Sequence, residues 1–275
     1  MSLTALEART LARPGCGVAY GLKRGRPGAP AVVLLHAYGV DRTMWEPLPP
    51  ALEDCTVICP DVRGHGDSRP CDGFTLPAAA EDLRCVLEAE GISRPVLVGL
   101  SMGGYLAQEY AWRWGGAAGY WVVGATPVLL DCYAPWERWS LERSTALFRP
   151  IPWGTLMAWM ASASARTPEA RGRVRDLFGR LTKEEFLRGW DGIARCLHPE
   201  PGFRFDAPLM VSRGEYDRLG AIAKYMGAWE EAYPGAVVNT IPGASHVANL
   251  DAPGRFDALL RTFLARCAQP ERRSP

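Results

Sequence analysis

The residues of this chain that could do chemistry centre on Ser101, in the stretch GLSMGGY at residues 99–105. Glycines lie two positions before and two positions after this serine, where larger side chains would collide if a strand reversed directly into a helix. Such a turn strains the serine backbone and projects its hydroxyl, while the helix N-terminus offers N–H groups to a developing negative charge. VLVGL before the turn and YLAQEYAWRW after it predict that strand and that helix. The pattern therefore predicts a nucleophile rather than a serine in an ordinary glycine-rich turn.

A serine hydroxyl is a weak nucleophile unless a neighbouring base takes its proton. The chain has four histidines. His36 ends a predicted strand, His65 lies in the loop DVRGHGDS, and His198 lies in a helical stretch. His246 lies in PGASHVANLDAP, directly after the last predicted strand. Because loops that follow parallel strands meet at one edge of a sheet, His246 is the predicted base for Ser101.

The base in turn needs a carboxylate that orients its ring. Three acidic residues follow predicted strands and are candidates. Asp217 in SRGEYD is our first choice, Asp131 the second and Glu215 the third. For each of them the alternative is a loop carboxylate paired with one of the many arginines.

The elements that must position these residues are short apolar strands separated by helices. Strands are predicted at residues 16–22, 31–35, 56–59, 95–100, 119–123, 208–212 and 236–241. Helices are predicted at residues 76–90, 102–114, 221–233 and 253–267, with Asp251 as the N-cap of the last one. Strands that alternate with helices predict an α/β fold with a mostly parallel, doubly wound sheet.

The alternation stops between residues 129 and 204, which contain no convincing strand. We interpret this stretch as several short helices, interrupted at Pro135, Pro150, Pro152, Pro168 and Gly172. It holds five of the ten tryptophans, most of which we expect to form its own core: Trp136, Trp139, Trp153, Trp159 and Trp190. The predicted organisation is a core made of residues 1–128 and 205–275 and a helical insertion at 129–204.

Composition excludes several other classes of protein. The 31 basic and 30 acidic residues leave a formal net charge of +1, which gives no reason to expect a nucleic acid or an acidic membrane as partner. The eight cysteines include no C-x-x-C pair and no zinc spacing, so buried reduced thiols are expected. No apolar run approaches the roughly 20 residues of a membrane span. We expect a cytoplasmic protein that acts on a small molecule, and the sequence does not indicate its oligomeric state.

Taken together, these segments resemble the α/β-hydrolase fold superfamily, over roughly residues 15–268. The order Ser101, Asp217, His246 is the order expected of that fold. LLHAYGVDRTMW is similar to the family's oxyanion loop, and PDVRGHGDS is similar to a segment after the next strand. PLMVSRGEYD and IPGASHVANLDAP are similar to the acid and histidine loops.

The resemblance implies roles for further residues. The oxyanion donors would be the backbone N–H groups of Tyr38 and Met102, and the helical insertion, placed after the sixth strand of the fold, would cap the site. His36 would then hold the oxyanion loop, and His65 would be structural. Asp61 and Arg63 would brace the neighbouring loop. Two positions depart from the usual pattern: Ala37 and Ser245 stand where glycine is frequent.

The chemistry implied is hydrolysis of a carboxylic ester, lactone or thioester through an acyl-enzyme, with no metal or organic cofactor. The aromatic insertion favours a small to medium, partly apolar substrate. A serine nucleophile argues against the haloalkane dehalogenase and epoxide hydrolase branches, which use aspartate. Three alternatives remain: a carbon–carbon hydrolase or lyase on the same triad, cofactor-free oxygen chemistry, and a ligand-binding receptor or pseudoenzyme.

Overall fold

The computed structural model describes residues 2–198, 203–220 and 222–268, and within these residues one eight-stranded sheet organises the chain. Its strands are β1 (Glu7–Arg13), β2 (Cys16–Lys23), β3 (Ala31–Leu35), β4 (Thr56–Pro60), β5 (Val96–Leu100), β6 (Gly119–Val123), β7 (Leu209–Gly214) and β8 (Val237–Ile241). Their order in the sheet is β1-β2-β4-β3-β5-β6-β7-β8. All seven predicted strands are therefore present.

Strands β3 to β8 run parallel, while β2 is antiparallel to both β1 and β4. The mostly parallel α/β sheet is confirmed. Strand β1 was not predicted because EARTLAR carries largely exposed or half-buried side chains at the sheet edge and lacks a repeating apolar face. From β3 the chain moves to one side to form β4 and then crosses back to form β5. The loops after β3 and β5 therefore flank a topological switch point, where open α/β sheets bind ligands.

The helices are α1 (Leu76–Ala89), α2 (Met102–Arg113), α3 (Pro135–Phe148), α4 (Trp153–Ser164), α5 (Pro168–Phe178), α6 (Lys183–Ala194), α7 (Met226–Ala232), α8 (Ala248–Asp251) and α9 (Pro253–Cys267). Helices α2 and α9 lie on opposite faces of the sheet, as their contacts with neighbouring residues of β6 show, since such residues point to opposite faces. Trp121 of β6 stacks on Phe256 of α9 at 4.5 Å between ring centroids. The next residue, Val122, packs against Gly104 of α2. The sheet is thus doubly wound, as predicted.

Helices α3 to α6 form the insertion between β6 and β7, after the sixth strand as expected. Its interior is an aromatic cluster around Phe186, which is fully buried and contacts Trp153, Phe178 and Trp190. The prediction that most tryptophans of the insertion form its core was wrong. Three of them are exposed, Trp136 at 68%, Trp139 at 60% and Trp159 at 52%, so most of the insertion's tryptophans face solvent.

Several predicted boundaries also differ. Gly172 interrupts no helix, since it lies inside α5, whereas Pro135 and Pro168 begin helices as first-turn prolines. The helix predicted at residues 221–233 is shorter, since α7 begins at Met226, and Ala221 lies outside the described residues. Asp251 does not cap α9, because Ala252 occupies that position.

Two general features complete the description. All eight cysteines are free thiols, and half of them are only partly buried rather than fully so. Across residues 2–198, 203–220 and 222–268, no helix has the length and apolar character needed to span a membrane.

Candidate active site

Ser101 occupies a strained turn between β5 and α2. Its φ of 54° is the one positive value at a non-glycine residue in the described part of the chain, in a region that costs L-residues free energy. A Cβ added to Gly99 would overlap the carbonyl of Gly103, and one added to Gly103 would overlap the carbonyl of Leu35. Both glycines are therefore required by close backbone approach, which explains the G-x-S-x-G spacing in physical terms.

Asp217 and His246 are brought together by the loops after β7 and β8. The His246 ring, through Nδ1, and Asp217 Oδ2 form a hydrogen bond of 2.9 Å. Both residues are buried, at 1% and 6% exposure for Asp217 and His246. The other oxygen, Oδ1, accepts the backbone N–H of Leu219 at 3.1 Å. With these two bonds the carboxylate is held in place beside the imidazole, and it can orient the ring.

Gly124 connects this pair to the serine turn. The backbone N–H of Ser101 donates to the carbonyl of Val123 at 2.8 Å, so Ser101 lies beside the end of β6. The next residue, Gly124, faces the pair: a Cβ there would lie 3.1 Å from His246 Nδ1 and 3.3 Å from Asp217 Oδ2. All three predicted residues therefore converge at the carboxyl edge of the sheet.

The two other acid candidates lie elsewhere. Asp131 is exposed, in a single 3₁₀ turn after β6. Glu215 is also exposed, and its carboxylate accepts the backbone N–H of Gly243 at 2.9 Å. Neither carboxylate contacts His246 among the described residues.

Tyr38 and Met102, the predicted oxyanion donors, flank the same site. Met102 is the first residue of α2, and the first N–H groups of a helix have no partner within the helix. Within the described residues, neither backbone N–H donates to another protein group. Gly103 packs against the end of β3, which places the start of α2 next to the loop that carries Tyr38. Both donors are thus available to a negatively charged oxygen.

His36 and His65 are buried and serve the structure of these loops. His36 donates from Nδ1 to the Ala37 carbonyl at 2.8 Å and accepts the Val62 N–H at Nε2 at 2.9 Å. It therefore holds the loop of Tyr38, and Ala37 itself needs no positive φ. Burial lowers the pKa of His36 and lowers the pKa of His65 to about 3. Both rings are neutral at physiological pH.

Two other predicted structural residues, Asp61 and Arg63, are likewise engaged. Asp61 accepts the backbone N–H groups of Arg42 and Asp67, each at 2.8 Å. Arg63 pairs with both oxygens of Asp82 at 2.7 and 2.9 Å. The fourth histidine, His198, contacts the buried carboxylate of Glu109.

Sequence analysis missed two sets of contacts that tie the site to the helical insertion. The Tyr38 hydroxyl donates to the carbonyl of Phe186 in α6. Asp251 accepts three backbone N–H groups, those of Arg166 and Thr167 in the insertion and of Ser245 next to His246, each at 2.9 Å. Nothing in the local sequence distinguishes Asp251 from an N-cap, so only the folded chain identifies this role.

In the described ranges, no cluster of three or more His, Cys, Asp or Glu side chains is arranged to hold a metal ion. The groups at this edge of the sheet are a hydroxyl, an imidazole, a carboxylate and two backbone N–H groups that have no protein acceptor among the described residues. Together they can deprotonate a hydroxyl nucleophile and stabilise an oxyanion, which is the chemistry of acyl transfer.

Comparisons with known proteins agree with this architecture. The family model described as "Alpha/beta hydrolase family" matches residues 32–259. The chain is 26% identical over 268 residues to a putative 2-succinyl-6-hydroxy-2,4-cyclohexadiene-1-carboxylate synthase of Bacillus subtilis, covering 90% of this chain and 95% of that protein. It is 38% identical over 84 residues to 3-oxoadipate enol-lactonase 1 of Acinetobacter baylyi, which is 30% of this chain and only 32% of that protein.

Among solved structures, a thermophilic esterase from Thermogutta terrifontis superimposes with a TM-score of 0.78 at 25% identity, covering 96% of this chain and 100% of that chain. The sheet order, the glycine-flanked serine turn and the extent of the family match lead to one conclusion. The chain belongs to the alpha/beta hydrolase family.

Proposed function

We propose that the protein is a serine hydrolase that cleaves a carboxylic ester, lactone or thioester through an acyl-enzyme. The observation that carries the proposal is the buried hydrogen bond of 2.9 Å between Asp217 and His246. It lies against Gly124, beside the strained turn of Ser101. A carboxylate, an imidazole and a half-buried serine hydroxyl are the three groups that the triad of acyl-transfer enzymes requires.

In the first step His246 Nε2 takes the proton of Ser101 as Oγ attacks the carbonyl carbon of the substrate. The Asp217 carboxylate stabilises the imidazolium and fixes its tautomer. The N–H groups of Tyr38 and Met102 hold the oxyanion, each contributing about 3–4 kcal/mol to transition-state stabilisation by analogy with measured oxyanion holes. His246 then protonates the leaving group, and water attacks the acyl-enzyme by the same route.

The substrate we propose is small to medium in size and partly apolar. The aromatic cluster around Phe186 contacts Tyr38 on the oxyanion loop, so residues 129–204 act as the cap of the site. The names of the relatives, an enol-lactonase and an esterase, support lactones and esters as the substrate class. We place the enzyme in the cytoplasm on the basis of its sequence alone.

A second candidate, cleavage or elimination at a carbon–carbon bond, draws on the relative whose name is a cyclohexadiene-carboxylate synthase. The same triad would act as a base without forming an acyl-enzyme. Product analysis after incubation with a β-diketone and a matched ester separates the two functions. A carbon–carbon hydrolase or lyase yields cleavage products of the β-diketone, whereas an ester hydrolase yields only the products of ester hydrolysis.

The test of the main proposal is labelling with a fluorophosphonate probe followed by peptide mapping. The label is expected on the peptide containing Ser101, because reaction requires the nucleophile, the base and the oxyanion donors together. Ser101→Ala abolishes labelling, whereas Ser140→Ala, a matched change in α3, leaves it intact. Labelling at another residue, or none on folded protein, would refute the serine mechanism; saturable ligand binding without labelling would favour the receptor alternative.

A further inference from the structure

A cleft of about 390 Å³ lies between the helical insertion and the loops that carry Asp217 and His246. One wall is formed by the end of α4, the α4–α5 link with Arg166, and Arg171 of α5. The other wall is formed by Tyr216 and Arg218, which flank Asp217, and by Ser245, which precedes His246. Neither Ser101 nor the two proposed oxyanion donors line it, so this cleft is separate from the site of acyl transfer.

The cleft concentrates positive charge. Three arginines line it, and no acidic residue does. Within the described residues none of the three guanidinium groups forms an ion pair with a carboxylate. The carboxylate of Asp251, next to the cleft, is used by backbone N–H groups of the insertion and of Ser245. Like charges brought together without a counter-charge repel one another, and a bound anion relieves that repulsion.

Two of the arginines are held in position. The Arg166 guanidinium stacks on the Tyr216 ring at 3.7 Å from its centroid. Arg171 donates from Nε to the Ala165 carbonyl at 2.9 Å, and its terminal nitrogens have no hydrogen-bond acceptor among the residues that the structure describes. A guanidinium fixed in this way loses little conformational entropy when it binds, and its planar fork matches carboxylate and phosphate oxygens.

We propose that this cleft binds a small dianion through the forks of Arg166, Arg171 and Arg218. The ligand chemistry is two negative charges on clustered oxygens, supplied by either a dicarboxylate or a phosphate. The volume is that of a small-molecule site. Because the walls belong to the insertion and to the loops after β7 and β8, the bound dianion bridges these two parts of the chain.

The test is isothermal titration of the full chain with succinate and, separately, with inorganic phosphate, at constant ionic strength maintained with sodium chloride. Saturable binding of at least one of the two is expected, and the one that binds identifies the source of the dianion. Arg218→Ala and Arg166→Ala are each expected to weaken binding about tenfold or more, since each removes charged hydrogen bonds. Arg218→Lys keeps the positive charge but loses the planar fork of the guanidinium. Its affinity for the anion is expected to lie between that of Arg218→Ala and that of the wild type.

Arg175→Ala is the matched control, because Arg175 is exposed on α5 but does not line the cleft. Its affinity is expected to equal that of the wild type. Melting curves without anion verify that each variant is folded. Absence of saturable binding for both anions would overturn the proposal. The proposal would also be overturned if Arg218→Ala and Arg166→Ala bound the anion as tightly as the wild type does. The same holds if Arg175→Ala weakened binding as much as those two variants do.

Discussion

The loops at the carboxyl edge of the sheet and the helical insertion at 129–204 are built in different ways. In the loops, buried polar groups fix one another: Asp217 holds His246, and His36 holds the backbone of Ala37 and Val62. The insertion instead depends on aromatic packing around Phe186, and three of its five tryptophans are exposed. The loops are thus held by buried hydrogen bonds, whereas the insertion is held by a small aromatic core with exposed rings around it.

The two regions are nevertheless joined by several hydrogen bonds, among them that of the Val247 N–H to the Ser164 carbonyl at 3.0 Å. Tyr38 donates from its hydroxyl to Phe186, and Asp251 binds backbone N–H groups on both sides. Movement of the insertion therefore requires that these bonds break or shift with it. The following experiments test how far the contrast between the loops and the insertion holds, from the largest expected effect to the smallest.

The largest effect is expected from Asp217→Asn, which tests the polar architecture of the loops. The amide leaves His246 in the wrong tautomer, so kcat should fall on the order of 10⁴-fold, as in the best-studied triad. The measurement is turnover of a p-nitrophenyl ester. Asp131→Asn and Glu215→Gln serve as controls and should retain nearly full activity. A comparable loss in Asp131→Asn would show that the acid has been assigned to the wrong residue.

Next in size is Phe186→Ala, which tests aromatic packing as the basis of the insertion. Phe186 is fully buried among aromatic rings, and truncation should lower the free energy of unfolding by about 3–5 kcal/mol. Urea unfolding followed by circular dichroism measures the change. A loss below about 1 kcal/mol would contradict the central role of this side chain, because a well-packed site cannot collapse around so large a cavity.

A smaller effect concerns His65, a neutral buried group of the loops. Its pKa is lowered to about 3 by burial, from 6.5. Below about pH 6.5 the His65 side chain binds a proton in the unfolded chain, whereas in the folded chain it stays neutral down to about pH 3. The free energy of unfolding should therefore decrease as the pH falls from about 6.5 to about 3, by at most about 1.4 kcal/mol per pH unit. The measurement is the free energy of unfolding in urea, determined at about pH 7 and at about pH 5. In His65→Gln this dependence should be shallower; an identical slope in the two proteins would contradict the prediction.

The smallest effect is expected from Trp139→Ser on the outer side of the insertion. Trp139 is 60% exposed and its ring lies 5.1 Å from the Arg143 guanidinium. Surface substitutions of this kind change the free energy of unfolding by about 0.5 kcal/mol or less. Urea unfolding beside Phe186→Ala gives a direct comparison. A loss similar to that of Phe186→Ala would mean that the packed core of the insertion extends to its surface.

The sheet and the serine turn were predictable because their signals are local. Apolar runs such as AVVLL and VLVGL have few alternatives to a buried parallel strand. The insertion was less predictable, since an exposed Trp139 and a half-buried Trp153 have the same residue type and both lie in or at the start of helices. Which face of a helix is covered depends on its neighbours, and the sequence does not state them.

The sequence by itself determined the strand-turn-helix at Ser101 and placed Asp217 and His246 after later strands, because backbone sterics and apolar periodicity act over a few residues. The sequence ranked Asp217 ahead of Asp131 and Glu215, but it did not show which carboxylate contacts His246. Only the tertiary structure placed the Asp217 carboxylate on the His246 ring, moved Asp251 from a helix cap to the contact between loop and insertion, and gathered three arginines in one cleft. These contacts join residues that are distant in the chain, so they exist only after the sheet has brought its loops to one edge.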